Sequence, residues 1–282
     1  MPEFLSITVL VENTPVDDLL SEHGLSLFIR HGDQRILLDF GQSDAFARNA
    51  ESLGIDLAHV DHTVLSHAHY DHADGMEAFF ALNDHAPVHL SIACAENCWS
   101  TKGGTAYAHY IGIKQGLLER HQERLSPAPT DNVTTIAPGV HLVPHITRGL
   151  EEVGRIAGML LLEGSSWQPD GFAHEMSLVL ELGCKPDAPL VILSSCSHAG
   201  LPVIAHEVRS AFPNRHIAAY VGGLHLIHSD DESIHATAQA IQDAGIDQLY
   251  TGHCTGEHAL EMLSEVLPGR VKALQPGLSF SF

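Results

Sequence analysis

Four residues able to bind a metal ion, His67, His69, Asp71 and His72, fall within six positions of the segment Ser66-His67-Ala68-His69-Tyr70-Asp71-His72. The apolar run 60–65 just before them reads as a short strand. A strand that ends in a tight loop can turn several close-spaced ligands onto one point, which neither a regular strand nor a helix does with this spacing. In particular, His67 and His69 can share one ion while Asp71 and His72 face a second. The fold must therefore bring further ligands to the end of this strand, as open α/β sheets do at their carboxyl edges.

The rest of the chain supplies strands for this purpose. Runs 5–11, 25–30 and 35–39 alternate with turn signals, and His31-Gly32-Asp33-Gln34 marks a hairpin. Helical spacing follows over 43–53 and 73–82, with a strand at 88–92. Residues 94–131 are the least patterned part and read as an insertion or lid, with an irregular loop around Lys102-Gly103-Gly104, a helix at 113–124 and a Pro-rich break at 126–129. Strands are expected at 133–136, 140–143, 156–162, 176–182 and 190–194. Helices at 201–212, 232–244 and 257–267 then alternate with strands at 216–221 and 248–250. Strands followed by strand and helix alternation, twice over, fit an α+β fold in which two sheets pack face to face with helices outside, an αββα four-layer sandwich. The 282 residues can bury such a core as one domain over 1–282.

Composition narrows the function classes. Fourteen Lys and Arg against 35 Asp and Glu give a formal charge of −21, which disfavours phosphate backbones and anionic lipid surfaces as partners. A small-molecule substrate is expected instead of nucleic acid or membrane. The five cysteines, Cys94, Cys98, Cys184, Cys196 and Cys254, are scattered and odd in number, so a disulfide framework is not expected. With no basic leader at the start and no long apolar run, the expectation is a cytoplasmic protein.

The segment 67–72 resembles the His-x-His-x-Asp-His signature of the metallo-β-lactamase superfamily, and the resemblance covers nearly the whole chain. It implies two αβ halves packed as an αββα sandwich, with a metal site at one edge. Asp39, in Leu38-Asp39-Phe40-Gly41, stands where that superfamily carries an Asp-x-Gly turn and would orient the ligand imidazoles. Leu193-Ser194-Ser195-Cys196-Ser197-His198-Ala199-Gly200, Gly222-Gly223-Leu224-His225-Leu226 and Thr251-Gly252-His253-Cys254-Thr255-Gly256 resemble a branch that includes the dihydropterin and ribofuranosyl-aminobenzene phosphate synthases. Each places a histidine or cysteine after an apolar strand, beside small residues that permit close approach.

From the resemblance, His198 completes the ligands of the His67 and His69 ion, with Cys196 and His174 as alternatives, and His253 joins Asp71 and His72 on the other. The implied cofactor is two divalent ions: zinc suits the ligands first, and iron or manganese is the alternative. Superfamily members that reduce oxygen or nitric oxide at a diiron centre typically carry glutamate where this chain has His69, which speaks against redox chemistry. The implied activity is hydrolysis of an ester, amide or phosphoester by metal-activated hydroxide, or synthase-like transfer on the same scaffold. Asp71 would orient the nucleophile and His225 would meet an oxyanion or leaving group. A phosphate-bearing substrate would draw on Lys102, Tyr107, Tyr110, Lys114 or Arg148. A metal-binding sensor or scaffold without turnover is the competing class. Cys94 and Cys98 read as buried thiols.

Overall fold

The computed structural model describes residues 5–101 and 107–282. Fourteen of its strands form two seven-stranded sheets. In spatial order the first holds Ser279–Ser281, Leu5–Val11, Ser26–His31, Gln34–Leu38, His62–Val64, Val88–Ser91 and Leu125–Ala128. The second holds Val271–Ala273, Gln248–Thr251, Ile217–Val221, Leu190–Leu193, Met176–Glu181, Val140–Pro144 and Thr134–Ala137. A small third sheet joins Ser166–Pro169, Met159–Glu163, Cys98–Ser100 and His109–Tyr110. The last strand pairs antiparallel with Leu5–Val11, so the chain returns to its first sheet after building the second.

Period-two patterning divides the core into layers. In Leu190–Leu193, Leu190 and Ile192 pack toward helices, whereas Val191 and Leu193 face the opposite sheet. The intersheet layer is filled by Ile7, Val9, Leu27, Ile29 and Leu38 from one side and by Leu142, Leu178, Leu180 and Val221 from the other. Helices Ala45–Ser52 and Met76–Leu82 cover the outer face of the first sheet, and Leu201–Ala211, Asp231–Asp243 and Glu257–Val266 cover the second. The helix Asp231–Asp243 shows how local sequence specifies this. The Asp230 carboxylate accepts the Ser233 N–H at 2.9 Å, and Ile234, Ala238 and Ile241 then fall on one buried stripe. The architecture is the αββα sandwich of the metallo-β-lactamase fold.

Several elements differ from the sequence expectation. The helix expected over 73–82 is two pieces, Tyr70–Ala73 and Met76–Leu82, and the intervening Gly75 packs so closely that a Cβ there would collide with the Phe40 and Ser43 carbonyls. Within 113–124 only Leu117–Arg120 is α-helical, after Gly116 at φ 78°. The strand expected from 156 begins at Met159, since residues Leu150–Ala157 form a helix that closes on Gly158 at φ 69°. The Pro-rich break includes part of Leu125–Ala128, which is tolerated because that strand lies at a sheet edge. Lys102-Gly103-Gly104 lies outside the described residues. No helix among the described residues is long and apolar enough to cross a membrane.

The topology decides where chemistry can sit. Gln34–Leu38, His62–Val64 and Val88–Ser91 run parallel, and so do Leu190–Leu193, Ile217–Val221 and Gln248–Thr251. Their carboxyl ends share one rim. Met176–Glu181 is antiparallel to Leu190–Leu193, so its amino end reaches the same rim, where the Met176 N–H donates to the Ser66 carbonyl at 2.8 Å across the two sheets.

Because Leu178 is fully buried between the sheets, Leu178→Ala should cost about 2–5 kcal/mol of stability by lost burial and a residual cavity. Urea unfolding measures it; a loss below about 1 kcal/mol would mean that the intersheet layer is not the main core.

Candidate metal centre

The rim is where backbone strain is concentrated. Of seven non-glycine residues with positive φ among those described, five stand there: Asp39 at 59°, Phe172 at 54°, Ser197 at 57°, His225 at 52° and His253 at 50°. Conformations this unfavourable for ordinary residues persist only where the surroundings overdetermine them. Here those surroundings are buried carboxylates. Asp39 accepts the Ser66 N–H and hydroxyl, both at 2.7 Å. Glu175 accepts the N–H groups of His198 at 2.8 Å and Ala199 at 2.9 Å. Glu12 accepts the His253 N–H at 2.5 Å.

These clamps bring two groups of side chains together. In the first, the rings of His67, His69 and His198 stand 4.7–4.9 Å apart between centroids, and Phe172 stacks on His198 at 5.1 Å. His67 Nε2, His69 Nε2 and both nitrogens of His198 are buried without a hydrogen-bond partner. Buried polar atoms are rarely left so. Burial and the neighbouring imidazoles push His67 and His198 well below the ordinary histidine range and bring His69 to about 3, so all three are neutral, the form in which imidazole binds a cation.

In the second group, His72 Nε2 lies 3.2 Å from His253 Nε2, and Asp71 Oδ2 lies 3.5 and 3.4 Å from them. Ligand atoms around a tetrahedral ion with bonds of ~2.0–2.1 Å are about 3.3–3.4 Å apart, so this triangle has the size of one coordination face. Proton positions follow from the partners. Asp39 Oδ2 can only accept, so the His72 Nδ1 at 2.7 Å carries the proton and Nε2 presents a lone pair. Likewise the Ser66 hydroxyl, spent on Asp39, accepts from His67 Nδ1 at 2.8 Å. An assembly of converging lone pairs needs a cation, either a metal ion or a proton.

Cys196 stands between the groups. Its Sγ is 3.3 Å from His72 Nε2, and it falls within one ligand cluster with His67 and His198 and another with His72 and His253. His174, the other alternative for the first group, is engaged elsewhere: Nδ1 accepts the Ala68 N–H at 3.2 Å and Nε2 bonds Asp170 at 3.0 Å. It braces the histidine loop. His225 lies 4.4 Å from His198 between ring centroids, with both nitrogens unpartnered.

A cleft of about 400 Å³ opens onto these residues, lined also by His23, Tyr70, His109, Met159 and His228. Among the described residues none of its walls is Lys or Arg. Of the residues expected to meet a phosphate, Tyr107, Tyr110, Lys114 and Arg148 do not line it: Lys114 is paired with Glu77 at 2.7 Å and the Tyr110 hydroxyl donates to the Ile113 carbonyl. Lys102 lies outside the described residues. Cys98 is buried near His174, and Cys94 donates to the His174 carbonyl. Glu12, Asn13, His23 and Glu175 were not singled out by the sequence reading. Glu12-Asn13 directly follows the apolar strand Leu5–Val11, so the strand-end rule that finds His67 and His253 also points to it.

The comparisons with known proteins concern the sequence and the fold as a whole. The family model of the metallo-beta-lactamase superfamily matches residues 22–149. The chain is thus similar to that superfamily over residues 22–149 and shares its fold. It is 26% identical over 274 residues to the 7,8-dihydropterin-6-methyl-4-(beta-D-ribofuranosyl)-aminobenzene-5'-phosphate synthase of Methanocaldococcus jannaschii, covering 93% of this chain and 90% of that one. It superposes on the crystal structure of a metal-dependent hydrolase of the beta-lactamase superfamily with a TM-score of 0.81 and 27% identity, over 98% of each chain. A metallo-beta-lactamase fold protein from Bacillus subtilis, at 12% identity and a TM-score of 0.58 over 99% of this chain and 100% of that one, shares the fold.

Burial opposes charge on His72, but Asp71 and Asp39 outweigh it and raise it to about 9. Below that pH the metal-free protein holds a proton where a metal ion would bind. Metal affinity at this group should therefore rise with pH, roughly tenfold per unit, and level off above about 9. Calorimetry at pH 7 in buffers of different ionisation enthalpy should show proton release; binding with no release and no pH dependence would contradict the assignment.

Proposed function

We propose that this chain is a dinuclear metal-dependent hydrolase that cleaves an ester or phosphoester bond in a small anionic molecule. The observation that carries the reading is the convergence, on one cleft, of two groups of buried lone pairs joined by Cys196. His67, His69 and His198 would hold one ion, Asp71, His72 and His253 the other, and Cys196 would contribute a thiolate between them. Imidazole, thiolate and carboxylate together suit zinc first, with iron or manganese as alternatives. Divalent ions held there would polarise the scissile group and make water acidic enough to attack at neutral pH.

The protein's own groups do the rest. Asp71 orients the attacking water with its carboxylate. His225, half-buried beside His198 with both ring nitrogens shielded and unpartnered, is placed to bond an oxyanion or the leaving group. The imidazoles of His109 and His228 also line the walls. Against a net charge of −21, the attraction for an anion would come from the ions themselves. A second reading, synthase chemistry with the same residues, is favoured by the similarity to the M. jannaschii synthase over nearly the whole chain.

Purified protein should bind two equivalents of zinc or manganese and hydrolyse a generic phosphoester or ester, losing turnover when stripped by chelator and regaining it on reloading. Full activity of the metal-free protein would refute the proposal. A metal-loaded protein that joins two organic substrates, but never uses water, would support the synthase. His253→Ala should leave one equivalent and lower kcat by more than about 100-fold, beyond what loss of a supporting residue costs. In cobalt-loaded protein, Cys196→Ser should abolish the thiolate-to-metal charge-transfer band while Cys254→Ser keeps it. A band unchanged in Cys196→Ser would remove that residue from the ligand set.

A further inference from the structure

The loop between Leu5–Val11 and Ser26–His31 contributes a histidine that neither ligand group uses. His23 Nε2 lies 3.2 Å from Asp71 Oδ2, its ring is 5.0 Å from that of His253, and its side chain is half exposed on the cleft wall. The approach is built in. Gly24, at φ 153°, lies against the Asp71 carbonyl so closely that a Cβ there would collide with it.

One side chain touches both imidazoles. Asn13 Oδ1 lies 3.2 Å from the Gly24 backbone nitrogen and 2.9 Å from His253 Nδ1, while Asn13 Nδ2 lies 3.2 Å from His23 Nδ1. The Gly24 N–H can only donate, which decides which end of the amide is the oxygen. The proton on His253 therefore sits on Nδ1, and its Nε2 presents a lone pair to His72 and Asp71. At the other end the amide nitrogen can only donate, so His23 Nδ1 is the acceptor and the His23 proton sits on Nε2, facing Asp71.

We infer that Asn13 assigns opposite tautomers to these neighbouring histidines, making His253 a metal ligand and His23 a positioning residue whose Nε2–H fixes the Asp71 carboxylate. This rests on the metal-dependent reading of the site and adds to it a division of labour. His23 and His253 both stand beside Asp71, and only the tautomer separates the group that holds the carboxylate from the group that binds beside it. With its proton on Nε2, His23 has no lone pair to offer an ion. The Asp71 oxygen has one lone pair for that hydrogen bond and one for the cation. Partners that orient a metal ligand in this way are typically worth about 10–100-fold in affinity or activity.

Long-range proton–nitrogen NMR of the imidazoles tests this in the full chain, both metal-free and cadmium-loaded. His23 should be protonated at Nε2 in both states with no cadmium coupling, and His253 should be protonated at Nδ1 with a cadmium-coupled Nε2. Asn13→Asp keeps acceptors for Gly24 and His253 but presents an acceptor to His23, so a proton should appear on His23 Nδ1 as well, with Nε2–H still facing Asp71. His23→Ala should retain two equivalents of metal and lower kcat about 10–100-fold with little change in KM, and His23→Gln, which keeps an N–H donor, should recover part of the loss. Cadmium coupling at His23 Nε2, or an Nδ1 proton on His23 in the metal-free wild type, would overturn the inference. The metal-free spectrum reads the tautomers without turnover. A protein with the assigned tautomers but no metal-dependent hydrolysis would therefore uphold the Asn13 assignment and sink the hydrolase.

Discussion

The structure is organised around lone pairs that cannot share protons among themselves. His72 Nδ1 is committed to Asp39 and His253 Nδ1 to Asn13, which leaves their Nε2 atoms 3.2 Å apart beside the Asp71 carboxylate. Burying such a group is costly unless a positive charge sits within it. The same holds for His67, His69 and His198, whose inward nitrogens have no partner at all. The cation requirement is thus written into the fold by hydrogen bonds around the site.

Holding the ligands this close requires rigid strand ends. Asp39, Glu12 and Glu175 do so by accepting backbone N–H groups of three ligand-bearing segments, and these carboxylates are themselves buried at 0–2% exposure. Their negative charge compensates the cations the site would hold, so one set of side chains serves both as mechanical clamp and as counter-charge. The αL conformations of Asp39, Ser197 and His253 are maintained by these contacts. Sheet topology supplies the remaining condition, because parallel strands in both halves end at one rim.

The legible parts of the sequence were those with a local signature. The cluster 67–72 has four ligand types in six positions after an apolar strand, and His198 and His253 sit in comparable strand-end contexts. Alternating apolar runs such as Leu190–Leu193 announced the sheets. What stayed hidden depends on distant pairing. Glu175 acts on His198 from 23 positions away and Asn13 on His253 from 240. The choice among His174, Cys196 and His198 required knowing that His174 spends both nitrogens on Asp170 and Ala68. The helix Leu150–Ala157 escaped because its apolar residues merge with those of the following strand, and only Gly158 separates them. The reliance on scarce cations for substrate binding was misplaced at Lys114, which Glu77 pairs with from a neighbouring helix.

The proposed function requires two ions side by side on this rim with Cys196 between them. A crystal structure of zinc-loaded protein with anomalous scattering at the zinc edge tests it most directly. Two anomalous peaks are expected, one within bonding distance of His67, His69 and His198, the other of Asp71, His72 and His253, both approached by Cys196 Sγ. A single peak, or a peak ligated by His174 in place of His198, would contradict it.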